Sequence, residues 1–146
     1  MKSWAIRSAK KSPEAWLIGL AVGLGTSLKL WLDITTVGTN DVAYWHHFTQ
    51  YLMKYGTVTI YRDIPYYNHP PLVSSGLLVL GNITAGAPYL FPFLFRLPGI
   101  LADVGSAVLL WQLASRYCGR RAALTGVSLF ALSPVLIMVS GFHGNT

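Results

Sequence analysis

Three apolar runs decide what this chain can fold into. They are Ala15 to Leu32, charged only at Lys29; Leu97 to Leu113, charged only at Asp103; and Ala122 to Phe142, which carries no charge. Crossing a bilayer core takes about 20 largely apolar residues of helix, because each residue advances only about 1.5 Å. A water-soluble domain has about 25% charged residues, whereas these 146 residues are 11% charged and 53% hydrophobic. That leaves too little polar surface for water. The chain is predicted to be an all-α integral membrane protein.

The formal net charge of +6 does not point to nucleic acid, because the cations flank apolar runs. Lys2, Arg7, Lys10 and Lys11 precede the first run, and Arg116, Arg120 and Arg121 separate the second from the third. Such clusters mark the cytoplasmic side. The apolar stretch Leu72 to Ile83 is about a dozen residues, a length more typical of interfacial or re-entrant segments. If it only dips, seven of the eleven Lys and Arg residues lie inside. The prediction is therefore three transmembrane helices, at 15–34, 96–114 and 122–142. A large external loop, 35–95, carries interfacial helices at 41–55 and 71–83, and a cytoplasmic loop covers 115–121. The first run is too long for the core of a cleaved signal peptide and lacks a small-x-small site. The chain is read as multi-pass with a cytoplasmic N-terminus. Its membrane would be the plasma (inner) membrane in a prokaryote and the endoplasmic reticulum in a eukaryote. Lys29, near the outer end of its helix, is expected to snorkel. Pro98 is placed in the first turn of the second span, and Pro134 should kink the third.

The polar interruption Gly38 to Leu72 holds three of the four histidines and two of the five acidic residues. Asn40 or Asp41 can cap a helix running to Tyr55. Trp45, Phe48, Leu52 and Tyr55 fall on one face and His46, Gln50 and Lys54 on the other, the pattern of a helix lying in the interface. Gly56 ends it, Thr57 to Tyr61 reads as extended, and Pro65, Pro70 and Pro71 keep the chain irregular. Asp41 is either a helix cap or a chemical group, and His46, His47 and His69 are equally readable as interface residues. His46 and His47 are adjacent and point about 100° apart, the wrong geometry for two ligands of one zinc, and no metal site is assigned. Asp103 lies inside a span. An acid there is a functional group or is paired, with Lys29 or Arg96 as partner. His143 and Asn145 follow the third span on the same side as Asp41, and the chain reads as cut shortly after them. The lone Cys118, set among arginines, reads as a spectator thiol.

Several motifs come in a particular order: a basic N-terminus with the first span, a loop opening on Asp41, and Asn68-His69-Pro70-Pro71-Leu72. Arg96-Leu97-Pro98 with Ala102-Asp103 and His143-Gly144-Asn145 follow. That order resembles the N-terminal module of the GT-C class of membrane glycosyltransferases. It is similar to the enzymes of N-glycan assembly that use dolichyl-phosphate-glucose. More distantly, it is similar to oligosaccharyltransferase catalytic subunits and to bacterial transferases using polyprenyl-phosphate sugars. His69 stands where the glucosyltransferases have Tyr. The resemblance implies inverting transfer of a sugar from a polyprenyl-phosphate donor to an acceptor hydroxyl on the extracytoplasmic face. It also implies that Asp41 is the general base. The leaving phosphate needs cations or donors, and Arg62, His69, Arg96, His143 and Asn145 are the candidates. The partners implied are the lipid-linked donor and membrane lipids; a divalent metal is neither implied nor excluded.

Two other readings remain open on sequence. One is a transporter or channel subunit in which Asp103 lines a pathway. The other is a small membrane protein without catalysis.

Overall fold

The computed structural model describes residues 13–143, and every regular element among them is helical. α1 spans Pro13–Thr35, α2 Asn40–Tyr55, α3 Thr57–Asp63 and α4 Pro71–Thr84. After a 3-10 turn at Pro88–Leu90 come α5, Phe91–Tyr117, and α6, Arg120–Ala131. α7, Pro134–Met138, runs into a π turn over Val139–His143. Helix is what an apolar solvent imposes, since each backbone donor and acceptor is then satisfied within its own segment.

α1, with 23 residues, and the 30-residue stretch Pro88–Tyr117 are long and apolar enough to cross a membrane. Arg120–Ala131 and Pro134–His143, bent by 41°, give a third if they form one span. The bend falls at Leu132 and Ser133, directly before Pro134, as the sequence predicts. Proline removes an N–H and crowds the carbonyl four residues back. The surface is inverted relative to a soluble protein. Trp16, Leu20, Trp31, Leu101 and Leu129 are exposed while Lys29, Asp33 and Arg96 are buried. An apolar exterior over a polar interior is stable where the solvent is lipid.

α1, α5 and α6 pack together as a bundle, with the π turn against α1 and α5. Gly25 lets α1 and α6 meet, because a Cβ there would enter the Ala131 carbonyl. Small residues at such crossings substitute close van der Waals contact for the missing hydrophobic drive. A second layer, α2 to α4, has its own core. Trp45, Phe48 and Leu52 of α2 meet Ile60, Ile64, Tyr67, Leu77 and Phe91. Three of these are on the α2 face that the sequence marks as apolar.

The structure corrects four expectations. Thr57 to Tyr61 is not extended but lies in α3, with Ile60 fully buried. A lone extended segment would leave its backbone groups without a ladder partner. The second long helix begins at Phe91, so Pro92 occupies its first turn and Pro98 lies inside it. The expected loop at 115–121 shrinks to Cys118 and Gly119, because α5 continues to Tyr117 and α6 starts at Arg120. Lys29 does not snorkel outward; it is buried and turned toward α5. The expected helices at 15–34, 41–55 and 71–83 lie within one or two residues of α1, α2 and α4.

Candidate functional site

The polar interior is built from two charged pairs set in reverse order on neighbouring helices. α1 carries Lys29 and then Asp33 one turn later, while α5 carries Arg96 and then Asp103 two turns later. The helices run antiparallel, so Lys29 Nζ lies 2.6 Å from Asp103 Oδ2, and Arg96 Nε lies 2.7 Å from Asp33 Oδ1. Ser140 also donates to Asp103 Oδ2, at 2.5 Å. The acid inside the second long helix is thus paired, and its partner is Lys29. A cavity of about 10 Å³ beside it, lined by Lys29, Asp103, Thr26 and Ala107, has room for one water.

Arg96 is 2% exposed and spreads its guanidinium over several chain segments. Nε donates to the Pro92 carbonyl at 3.1 Å. Nη2 donates to the carbonyls of Asp33 and Thr36, at 2.8 and 2.7 Å. Nη1 donates to Thr36 Oγ1 and to the carbonyls of Gly141 and Phe142, at 3.1–3.2 Å. All five guanidinium N–H groups are therefore engaged. Neither Asp33 carboxylate oxygen has an aligned hydrogen bond, because the nearby Nε–H points at Pro92. Charge balance rather than a shaped hydrogen bond keeps that carboxylate in place.

Arg96 ties the end of α1 to the π turn, and the next residues form the candidate site. Gly38 has φ +90°, and a Cβ there would lie 2.9 Å from the Phe142 carbonyl oxygen and 3.2 Å from Arg96 Nη1. Only glycine lets the chain turn this tightly across the π turn. Thr39 occupies the N-cap position of α2, but its hydroxyl makes no capping bond. It faces His143 instead, 2.8 Å from Nδ1 and 2.9 Å from the carbonyl oxygen. Asp41, in the first turn of α2, is not the cap. Its Oδ2 lies 3.4 Å from His143 Nε2, and both side chains are about half exposed. A carboxylate in the first turn also meets the positive end of the helix dipole.

The Asn68-His69-Pro70-Pro71 segment folds back onto α2. Pro71 starts α4, where its missing N–H is harmless. The Tyr61 hydroxyl donates to the His69 carbonyl, and the hydroxyls of Tyr67 and Ser74 are hydrogen-bonded at 2.7 Å. The His69 ring sits 4.4 Å from Trp45 and 5.2 Å from Tyr67. Trp45 is one turn after Asp41, so His69 reaches the Asp41 face of α2 through it. Arg62 is exposed and bonded to Asp63 at 2.6 Å, while Tyr51 donates to the same carboxylate at 2.9 Å. These two partners, Arg62 foremost, hold the Asp63 carboxyl below its usual range. His46 stacks on Phe91 at 4.5 Å, and burial pushes its imidazole below the usual value.

Of the site residues singled out in the sequence, Asp41 meets His143, Arg96 holds the two carbonyls before His143, and Lys29 meets Asp103. Arg62 and His69 lie on the second layer, and Asn145 is outside the described residues. The sequence reading overlooked Asp33, Thr39 and Ser140. Asp33 carried a usable signal, since it follows Lys29 by four residues and so shares its helix face. Thr39 and Ser140 carried none, because hydroxyls are common at span ends.

Two grooves lie along α2. One, of about 500 Å³, is lined by Asn40, Ala43, Tyr44, His47 and Tyr66 on the outer side of α2. The other, of about 400 Å³, is almost wholly apolar and runs between α2, α4 and α5 past Trp45, Leu77, Leu80, Phe95 and Pro98.

No protein-family model, curated protein or solved structure matches the chain. Chemically, the site offers a half-exposed carboxylate beside an imidazole, and such a carboxylate can accept a proton from a hydroxyl.

Proposed function

We propose that this chain contributes the base-bearing segment of an inverting membrane glycosyltransferase, which takes its sugar from a polyprenyl-phosphate donor. The observation that carries the reading is Asp41. Its carboxylate is free of capping duty, half exposed, and oriented by His143 at the end of the helical bundle. In the proposed reaction an acceptor hydroxyl gives its proton to Asp41 as its oxygen attacks the anomeric carbon. The bond from that carbon to the phosphate oxygen breaks on the opposite face, so the configuration inverts and polyprenyl phosphate leaves. The polar groove with Tyr44, Tyr66 and Asn40 suits an acceptor sugar, and the apolar groove suits the prenyl tail. Among the cations first considered for the phosphate, Arg96 and His143 are engaged within the chain. His69 remains, with Arg62, which is exposed and would exchange its partner Asp63 for the phosphate.

The topology that goes with this reading has three spans, with the N-terminus and the Arg116–Arg121 turn cytoplasmic. Residues 36–90 then face the extracytoplasmic side of the membrane. Single cysteines at Thr57 and at Ser115, in a Cys118-free variant, should label from opposite sides; labelling from one side would refute three spans.

The function is tested with the full-length protein in membranes. Sugar should pass from a polyprenyl-phosphate donor to a saccharide acceptor with inversion at the anomeric carbon. Retention of configuration, or transfer from nucleotide sugars but not from lipid-linked ones, would refute the reading. A transport role gains nothing from Asp103, which is held by Lys29 and Ser140 beside a space of about 10 Å³.

A further inference from the structure

We propose that His143, held in place by Thr39, is the positioning residue that aims Asp41 at the acceptor, rather than a ligand of the donor phosphate. The inference rests on the transferase reading and assigns His143 and Thr39 roles within it. The Thr39 hydroxyl has one proton and two neighbours, the Nδ1 and the carbonyl oxygen of His143. If the hydroxyl donates to the carbonyl, Nδ1 must donate to Thr39 Oγ1. The Nε2 lone pair of a neutral ring would then face a carboxylate, which disfavours this arrangement. If the hydroxyl instead donates to Nδ1, the ring carries its single proton on Nε2. The favoured arrangement places an N–H on Nε2, facing Asp41 Oδ2 at 3.4 Å.

Oδ2 is therefore the Asp41 oxygen that faces the imidazole, and Oδ1 is the one left to take the acceptor proton. This is the logic of a base oriented by a third group. The separation is long for a hydrogen bond, which leaves room for the pair to tighten once an acceptor is bound. The support is rigid on its far side. Arg96 holds the carbonyls of Gly141 and Phe142 directly before His143, and Gly141 packs on the Lys29 backbone. Asp33 and Asp103 are the acidic groups behind this wall, and both are already paired. Nδ1 is taken up by Thr39, and a phosphate approaching Nε2 would meet the Asp41 carboxylate.

The test uses the full-length protein in membranes. A misplacement of about 1 Å at a reacting group costs about 10²-fold in rate. His143→Ala should therefore lower kcat by about that factor while leaving the donor KM within about twofold. His143→Gln, whose amide N–H reaches the same point, should recover most of the loss. Thr39→Ser should match wild type and Thr39→Val should not. Thr39→Cys with His143→Cys, in a Cys118→Ser background, should form a disulfide on mild oxidation and lose maleimide reactivity. A raised donor KM at unchanged kcat in His143→Ala would make His143 a phosphate ligand and overturn the proposal. Failure of the cross-link would remove the contact on which it rests. If Asp41→Asn cripples transfer while His143→Ala does not, the positioning role falls and the transferase reading stands. If neither matters, both fall.

Discussion

Asp41→Asn in the full-length protein will lower sugar transfer by about 10²–10⁴-fold, the usual loss when a general base is removed. The substitution is informative because it preserves nearly everything else. Thr39, not Asp41, occupies the N-cap position of α2, so no cap is lost. The Asn side-chain oxygen can still accept from His143 Nε2, so the loop stays attached to the π turn. What disappears is an oxygen basic enough to hold the acceptor proton. The loss should fall on turnover, with donor affinity and membrane insertion near wild type. Rates for wild type and variant, matched for folded protein, decide the matter. Equal rates would leave Asp41 as a surface carboxylate and remove the proposed chemistry.

Arg96→Met will destabilise the folded state by about 3–5 kcal/mol, the cost of leaving one member of a buried ion pair without its partner. Asp33 is 2% exposed, and its carboxylate is balanced only by the guanidinium. The same change strips donors from the carbonyls of Pro92, Thr36, Gly141 and Phe142. Arg96→Lys should rescue little, because one ammonium cannot span those positions as the planar fork does. Adding Asp33→Asn to Arg96→Met should recover part of the loss, since the uncompensated charge is then gone. Reversible detergent unfolding of the four proteins gives the values. A cost below about 1 kcal/mol for Arg96→Met, the scale of an exposed pair, would show that the pair is not buried in the folded protein. His143 should also lose its place in Arg96→Met, because its two preceding carbonyls are no longer held.

The apolar runs and their lengths determined by themselves that this chain is helical and suited to a membrane. Span length and backbone hydrogen bonding leave no other solution in hydrocarbon. The spacing of Trp45, Phe48 and Leu52 marked the buried face of α2, and Pro134 marked the bend after Ala131. Those features depend on local sequence alone. Local sequence misread Thr57 to Tyr61, where β-branched residues suggested an extended segment. Without a neighbouring strand, that segment satisfies its backbone by turning into helix.

The pairing of charges was half legible. Lys29 and Asp33 share one face of α1, and Arg96 and Asp103 share one face of α5. Which cation meets which acid depends on two antiparallel helices lying side by side, and tertiary packing set Lys29 against Asp103 and Arg96 against Asp33. That Asp41 and His143 share a side was legible from the order of spans, but their contact was not, since 102 positions separate them. Gly38, turning where no side chain fits, and Arg96, gripping the π turn, bring the start of α2 to the end of the last helix. A meeting of that kind follows from the packing of α1, α5 and α7, and no local pattern encodes it.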